Sequence, residues 1–282
     1  MLNALRMEAY RMRKTVSTWM VFLVLAALTV GTTFILRGEY QDAGVQQANY
    51  EYMESSEANE NQNLGMSVTL PTEPGHRVTL YDFFYANSQG KFLALFFCIY
   101  AVMYTGADRK SGYIKAIGGQ VKNRSTLVLA KAVMLALYTI VSMAGYLAVQ
   151  ALSSQIFFGY LEWGPWKDFL PYLGMEVLLH IALVWIVMAL TIILANNVAS
   201  MTAAILLCMN VMTIFYSAVT RFVAERGPED FNLLRYTVTG EISLLPMHYA
   251  GENMLPAVVT GLAFCVAAVG IGSIVFQKRD IR

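Results

Sequence analysis

Polar and apolar positions in this chain are not interleaved; they come in blocks. Val16–Leu36, Ala132–Leu161, Val177–Thr220 and Asn253–Gln277 contain no Asp, Glu, Lys or Arg, and Phe92–Ala107 is a shorter run of the same kind. A bilayer core is spanned by about 20 apolar residues of helix, because each backbone N–H and C=O must find its partner within the segment. The blocks therefore predict six transmembrane helices: Val16–Leu36, Ser88–Ala107, Ala132–Leu152, Phe169–Leu194, Val198–Thr220 and Leu255–Phe276. The Val177–Thr220 run is too long for one span, and Asn196-Asn197 is the natural turn within it. Lys91, near the start of the short second span, is expected to reach outward to water. Val16–Leu36 is expected to stay as a span, since nothing resembling a signal-peptide cleavage site follows it.

Composition agrees with the pattern. The chain is 57% hydrophobic and only 14% charged, against about 25% charged in soluble domains. The expected fold class is thus an all-α polytopic membrane protein, a single transmembrane domain over residues 1–282. Its three cysteines, Cys98, Cys208 and Cys265, all fall inside apolar runs and are expected to be reduced packing residues.

Charge sets the orientation. With the N-terminus inside, the inner segments (1–15, 108–131 and 277–282) hold 13 Lys and Arg against three acids, Glu8, Asp108 and Asp280. The outer segments hold the other seven basic residues and 15 acids. This is the positive-inside asymmetry, and it places both termini in the cytoplasm. Residues 37–87 become a long outer loop, acidic in its first half, and 221–254 an outer loop with short interfacial helices. Leu2, Leu5, Ala9 and Met12 recur at helical spacing beside Arg6, Arg13 and Lys14, as in an amphipathic helix lying at the membrane surface over residues 1–15.

The inner segment Asp108–Lys131 contains Ile117-Gly118-Gly119-Gln120, four residues like the end of an ATPase signature. A nucleotide site also requires a Gly-rich loop ending in Lys and Ser/Thr to hold phosphates and magnesium, and the sequence has none. The same segment fits another role. Ile114, Ile117 and Val121 share one face of a short helix flanked by Gly112 and Gly118-Gly119, a shape suited to docking in a partner's groove.

Asp108 at the end of the second span, Gly112-Tyr113, Lys115, Arg124 and Lys131 opening the third resemble the cytoplasmic segment of ABC-2 type permeases. Leu2–Trp19 resembles that family's elbow helix, and Phe276–Arg282 its usual ending. Asp108 and Tyr113 depart from the family's usual Glu and Thr. The resemblance implies a bacterial plasma-membrane permease with no nucleotide site of its own. Its implied partners are a separate ATPase subunit in two copies, carrying ATP and magnesium, and a second permease, identical or homologous. It also implies a coupling role for Asp108, Gly112, Tyr113, Ile114, Lys115, Ile117 and Arg124. The resemblance is nearest to small bacterial permeases for toxin-peptide export or lantibiotic self-protection, and so implies an amphipathic peptide or peptide antibiotic as cargo. No catalytic residue, metal site or nucleic-acid partner is expected.

Within the spans, Glu176 and His180 lie four residues apart on one helical face. Ionisable groups in a span cost several kcal/mol, about 2.5–3.5 on insertion scales, so they face a partner or a cavity. One reading makes them part of a substrate path with Met209 and Met212; the other has them satisfy each other, with Glu176 reaching outer water. The pair also admits a rival function, a proton-coupled secondary transporter. An intramembrane metalloenzyme is disfavoured, because His76, His180 and His248 show no metal-ligand spacing.

Overall fold

The computed structural model describes residues 2–40, 42–58, 68–110, 124–225, 231–247 and 254–278. Among them every regular element is helical. The surface helix α1 is Leu2–Lys14, followed by α2 (Val16–Glu39) and α3 (Ala43–Ala58). Next come α4 (Leu80–Gln89), α5 (Phe92–Lys110), α6 (Ser125–Phe157) and α7 (Trp166–Leu194). After α8 (Asn197–Cys208) and α9 (Val211–Ala224) there is a 3-10 turn at Leu233–Tyr236, then α10 (Val238–Leu244) and α11 (Met254–Lys278).

Four helices, α2, α6, α7 and α11, are long and apolar enough to cross a bilayer. Two further pairs pass the same test jointly, α4 with α5 and α8 with α9, bent by 56° and 65° at their breaks. The protein is thus a multi-pass helical membrane protein with four to six spans. Helix α7 is central, packed by α5, α6, α8, α10 and α11, whereas α2 touches mainly α5 and α6 and leaves its other side bare. That bare side carries Leu23, Val24, Phe34 and Ile35, as lipid contact requires.

Neither the second nor the fifth predicted span folds as one straight helix. At each break stands a non-glycine residue in the left-handed region, Lys91 (φ 59°) and Asn210 (φ 57°). Asn tolerates that conformation; Lys does so at about 1–2 kcal/mol. The compensation is a bond between the two breaks, from the Lys91 ammonium to Asn210 Oδ1. Lys91 is therefore not directed to water: it is 2% exposed. The Asn196-Asn197 turn is present, with Ala195 left-handed and Asn196 capping α8 through the Val198 and Ala199 amides. Below it, α5 and α8 come so close that a Cβ on Gly106 would collide with the Asn197 side chain.

The joint between α1 and α2 shows why the chain turns there. Arg11 O accepts the Thr15 amide at 2.9 Å, the carbonyls after it have no helical partner, and the next few side chains supply donors. Thr15 Oγ1 donates to Arg11 O at 2.7 Å, Thr18 Oγ1 to Met12 O at 2.8 Å and Trp19 Nε1 to Arg13 O at 3.1 Å. On α1 itself, Met12 and Glu8 face the bundle while Leu2 and Ala9 are exposed. The apolar stripe of the expected surface helix is thus divided, because Glu8 draws one face of the helix inward.

Residues 80–87, within the segment read from sequence as an outer loop, form most of a deeply buried helix. Thr79 and Asp82 close a capping box at its start. Tyr81 and Phe84 then pack edge-on against Phe169 and Tyr172 of α7, with centroids 5.4–5.9 Å apart.

Candidate functional site

Two buried polar sites stand out. The first lies where α1, α5 and α6 meet. Lys131 Nζ is 2.5 Å from Asp108 Oδ2 and 3.8 Å from Glu8 Oε1. Arg11 pairs with the other Asp108 oxygen and lies 3.5 Å from Glu8 Oε2. Two acids and two bases balance in charge, with Glu8, Asp108 and Lys131 at most 5% exposed. Tyr104 fills the middle: its hydroxyl donates to Glu8 Oε2 at 2.5 Å, and its carbonyl accepts from Arg11 at 3.1 Å. The two cations lie 4.5 and 4.9 Å from the centre of its ring, a favourable placement for cations over an aromatic face. Burial works against the charge on Arg11, but the carboxylates of Asp108 and Glu8 outweigh it and hold its pKa above the ordinary value.

The mechanical consequence follows from sequence position. Asp108 is near the end of α5 and Lys131 is in the second turn of α6, so their ion pair ties together both flanks of residues 111–123. Arg11 and Glu8 fasten the surface helix to the same knot. Of the predicted coupling residues, Asp108 and Arg124 are seen, Arg124 standing just before α6. Gly112, Tyr113, Ile114, Lys115 and Ile117 lie outside the described residues. Glu8, Arg11 and Tyr104 were not singled out from sequence as site residues. The available signal was that Glu8 is the one acid in an otherwise basic helix, three residues before Arg11.

The second site is inside α7. Glu176 and His180 are both fully buried, so Glu176 does not reach outer water. His180 Nδ1 lies 3.1 Å from Glu176 Oε2 and 2.7 Å from the Glu176 carbonyl. Phe97 of α5 packs edge-on to the imidazole at 5.6 Å. The Tyr172 hydroxyl adjoins the Glu176 carboxyl, and His180 Nε2 has no hydrogen-bond partner among the described residues. A carboxyl and an imidazole so placed can hold a proton between them, and Nε2 can take a partner if the bundle opens. Met209 and Met212 flank Asn210 at the α8–α9 break and are half-buried.

Cys98, Cys208 and Cys265 are free and buried, and Cys98 adjoins Cys208. Among the described residues no group of three His, Cys, Asp or Glu side chains is placed to hold a metal ion.

No curated protein and no solved structure matches the chain. A family model described as a protein of unknown function (DUF2705) matches residues 45–282. The match covers Asp108, Lys131, Glu176 and His180, and it begins in α3, beyond Glu8 and Arg11. Over that length the agreement assigns the chain to the DUF2705 family.

Proposed function

We propose that this chain is the membrane-spanning permease subunit of an ATP-driven exporter of the ABC-2 type. It crosses the bacterial plasma membrane six times, counting each bent pair as one span, with both termini in the cytoplasm. A separate ATPase, two copies per transporter, supplies the energy and carries ATP and magnesium. A second permease, identical or homologous, completes the path. The cargo is an amphipathic peptide or peptide antibiotic, moved out of the cell or the membrane.

The observation that carries this reading is the knot of Glu8, Arg11, Asp108 and Lys131. A segment pushed by an ATPase must be stiffly joined to the helices it moves. Here both flanks of residues 111–123 and the surface helix share one buried ion cluster, so a displacement of the segment is passed to α1, α5 and α6 together. The excess of Lys and Arg in the segments at that end supports its lying on the side where ATP is found.

A second reading rests on a different observation. Fully buried Glu176 and His180, with the Tyr172 hydroxyl beside the carboxyl and His180 Nε2 without a hydrogen-bond partner among the described residues, suit a proton-coupled secondary transporter. Export from intact cells separates the two. Cells of the native host are loaded with a fluorescent cationic amphipathic peptide, then either depleted of ATP or treated with a protonophore. The permease reading predicts that efflux stops on ATP depletion and survives the protonophore. The opposite pattern, with efflux also lost in Glu176→Gln, favours the proton-coupled transporter.

A further inference from the structure

At the end of the bundle opposite the ion knot, the last turns of α2 and α6 frame a cavity of about 390 Å³. Arg37, Tyr40, His76, Phe157, Phe158 and Tyr160 line it. Its walls are pinned rather than loose. Tyr40 donates to Leu70 O at 3.1 Å, the Val78 amide donates to Tyr160 Oη at 3.1 Å, and Phe158 packs edge-on against Phe83. Burial pushes the Tyr40 hydroxyl up to about 12, so it remains a donor at neutral pH.

The cationic lining is incompletely matched. Glu73 sits 3.4 Å from His76 Nδ1, but among the described residues no carboxylate is within ion-pair distance of Arg37. An arginine with no acidic partner, beside aromatic walls, is the chemistry that receives a phosphate. The volume is at the small end for ligand sites, roughly 300–1,000 Å³; it suits a headgroup rather than a whole drug-sized molecule.

Location identifies the source of that phosphate. Directly below the cavity, Phe34 and Ile35 of α2 and Leu152 and Ile156 of α6 are exposed, and Phe34 stacks edge-on with Phe157 at 5.5 Å. Trp163 and Trp166 stack at 5.1 Å at the same end of the bundle, where indoles mark headgroup level. We infer that the cavity binds the phosphodiester headgroup of an anionic bilayer lipid, with its acyl chains along the α2–α6 seam. The inference does not depend on how transport is energised.

The test is native mass spectrometry of the purified chain with phosphatidylglycerol or phosphatidylcholine of identical acyl chains. Wild-type protein is expected to retain phosphatidylglycerol about tenfold better. Arg37→Ala should lose the preference and Arg37→Lys should recover part of it, while millimolar inorganic phosphate displaces nothing. Equal retention of the two lipids, an unchanged Arg37→Ala protein, or displacement by inorganic phosphate would each overturn the lipid assignment. Should Arg37→Ala not fold, a phosphatidylglycerol with a diazirine in its acyl chain decides on wild-type protein. Labelling at residues 34–35 or 152–156 supports the site, and labelling confined to other helices refutes it.

Discussion

The two buried polar sites differ in how fully their charges are matched. In the knot at the α1–α5–α6 junction, each charged side chain lies within ion-pair distance of two opposite charges, and Tyr104 bonds to both Glu8 and Arg11. In α7, a single carboxyl and a single imidazole face each other, the Tyr172 hydroxyl adjoins the carboxyl, and His180 Nε2 has no hydrogen-bond partner among the described residues. Matching of the first kind suits a joint that must not move within itself. The second kind is a small polar core with capacity in reserve, stable while closed and ready to take a partner if the packing opens. The contrast separates a part that transmits motion from one that changes its contacts.

Breaking the knot should produce the largest effect. Asp108→Ala leaves Lys131 and Arg11 short of their shared carboxylate, and losing one member of a buried ion pair costs about 3–5 kcal/mol. Thermal unfolding in detergent should show a drop of that order. Restoring balance with Asp108→Asn plus Lys131→Met should recover much of it, since exchanging a buried pair for neutral groups is often close to neutral.

Overpacking where α5 meets α8 comes next. Gly106→Val would push a branched side chain into Asn197, at about 1–3 kcal/mol, by the same unfolding measurement. Gly31, with no atom within reach of an added Cβ, is the control position and should tolerate Ala with little change.

The α7 pair should behave unlike the knot. Replacing both members, Glu176→Leu with His180→Leu, is expected to leave stability within about 1 kcal/mol of wild type or to raise it, while efflux falls if the pair contacts cargo. A loss as large as that of Asp108→Ala would show that the two sites are equally structural and would erase the contrast.

The mildest expected effect is one of pH, at Tyr40 on the loop side of α2. Its folded value is raised, chiefly by burial, to about 12 from an ordinary 10. A raised value means that the folded state holds the proton more tightly, so the contribution is complete below pH 10 and is lost as pH climbs towards 12. Tyr40→Phe should flatten the alkaline limb of the stability profile in that window.

Much of this architecture was legible in the blocks of apolar sequence, because a bilayer demands long uncharged runs and the chain has them. The helices α2, α6, α7 and α11 and the turn at Asn196 follow directly. The two bends do not, since Lys91 and Asn210 are 119 residues apart in the sequence, and only their meeting in space compensates a left-handed lysine. Burial of Leu80–Gln89 was equally hidden. Its polar residues read as loop, yet Asp82 bonds Thr79 and Thr72 and Asn87 bonds the Phe83 carbonyl. At the sites, Glu176 and His180 were visible as ionisable residues in an apolar run, and Asp108 and Lys131 as the ends of a basic segment. Glu8 and Arg11 were read only as charges that set orientation, because their partners lie about a hundred residues further along the chain.

The central claim is that a separate ATPase grips the segment between α5 and α6. The direct measurement is what accompanies the tagged chain when it is extracted from its native host in mild detergent. The account predicts a soluble ATPase in about equal amount to the permease, released in Ile114→Asp with Ile117→Asp while the thermal stability of the chain is unchanged. A chain that purifies alone, stable and without associated ATP hydrolysis, would contradict it.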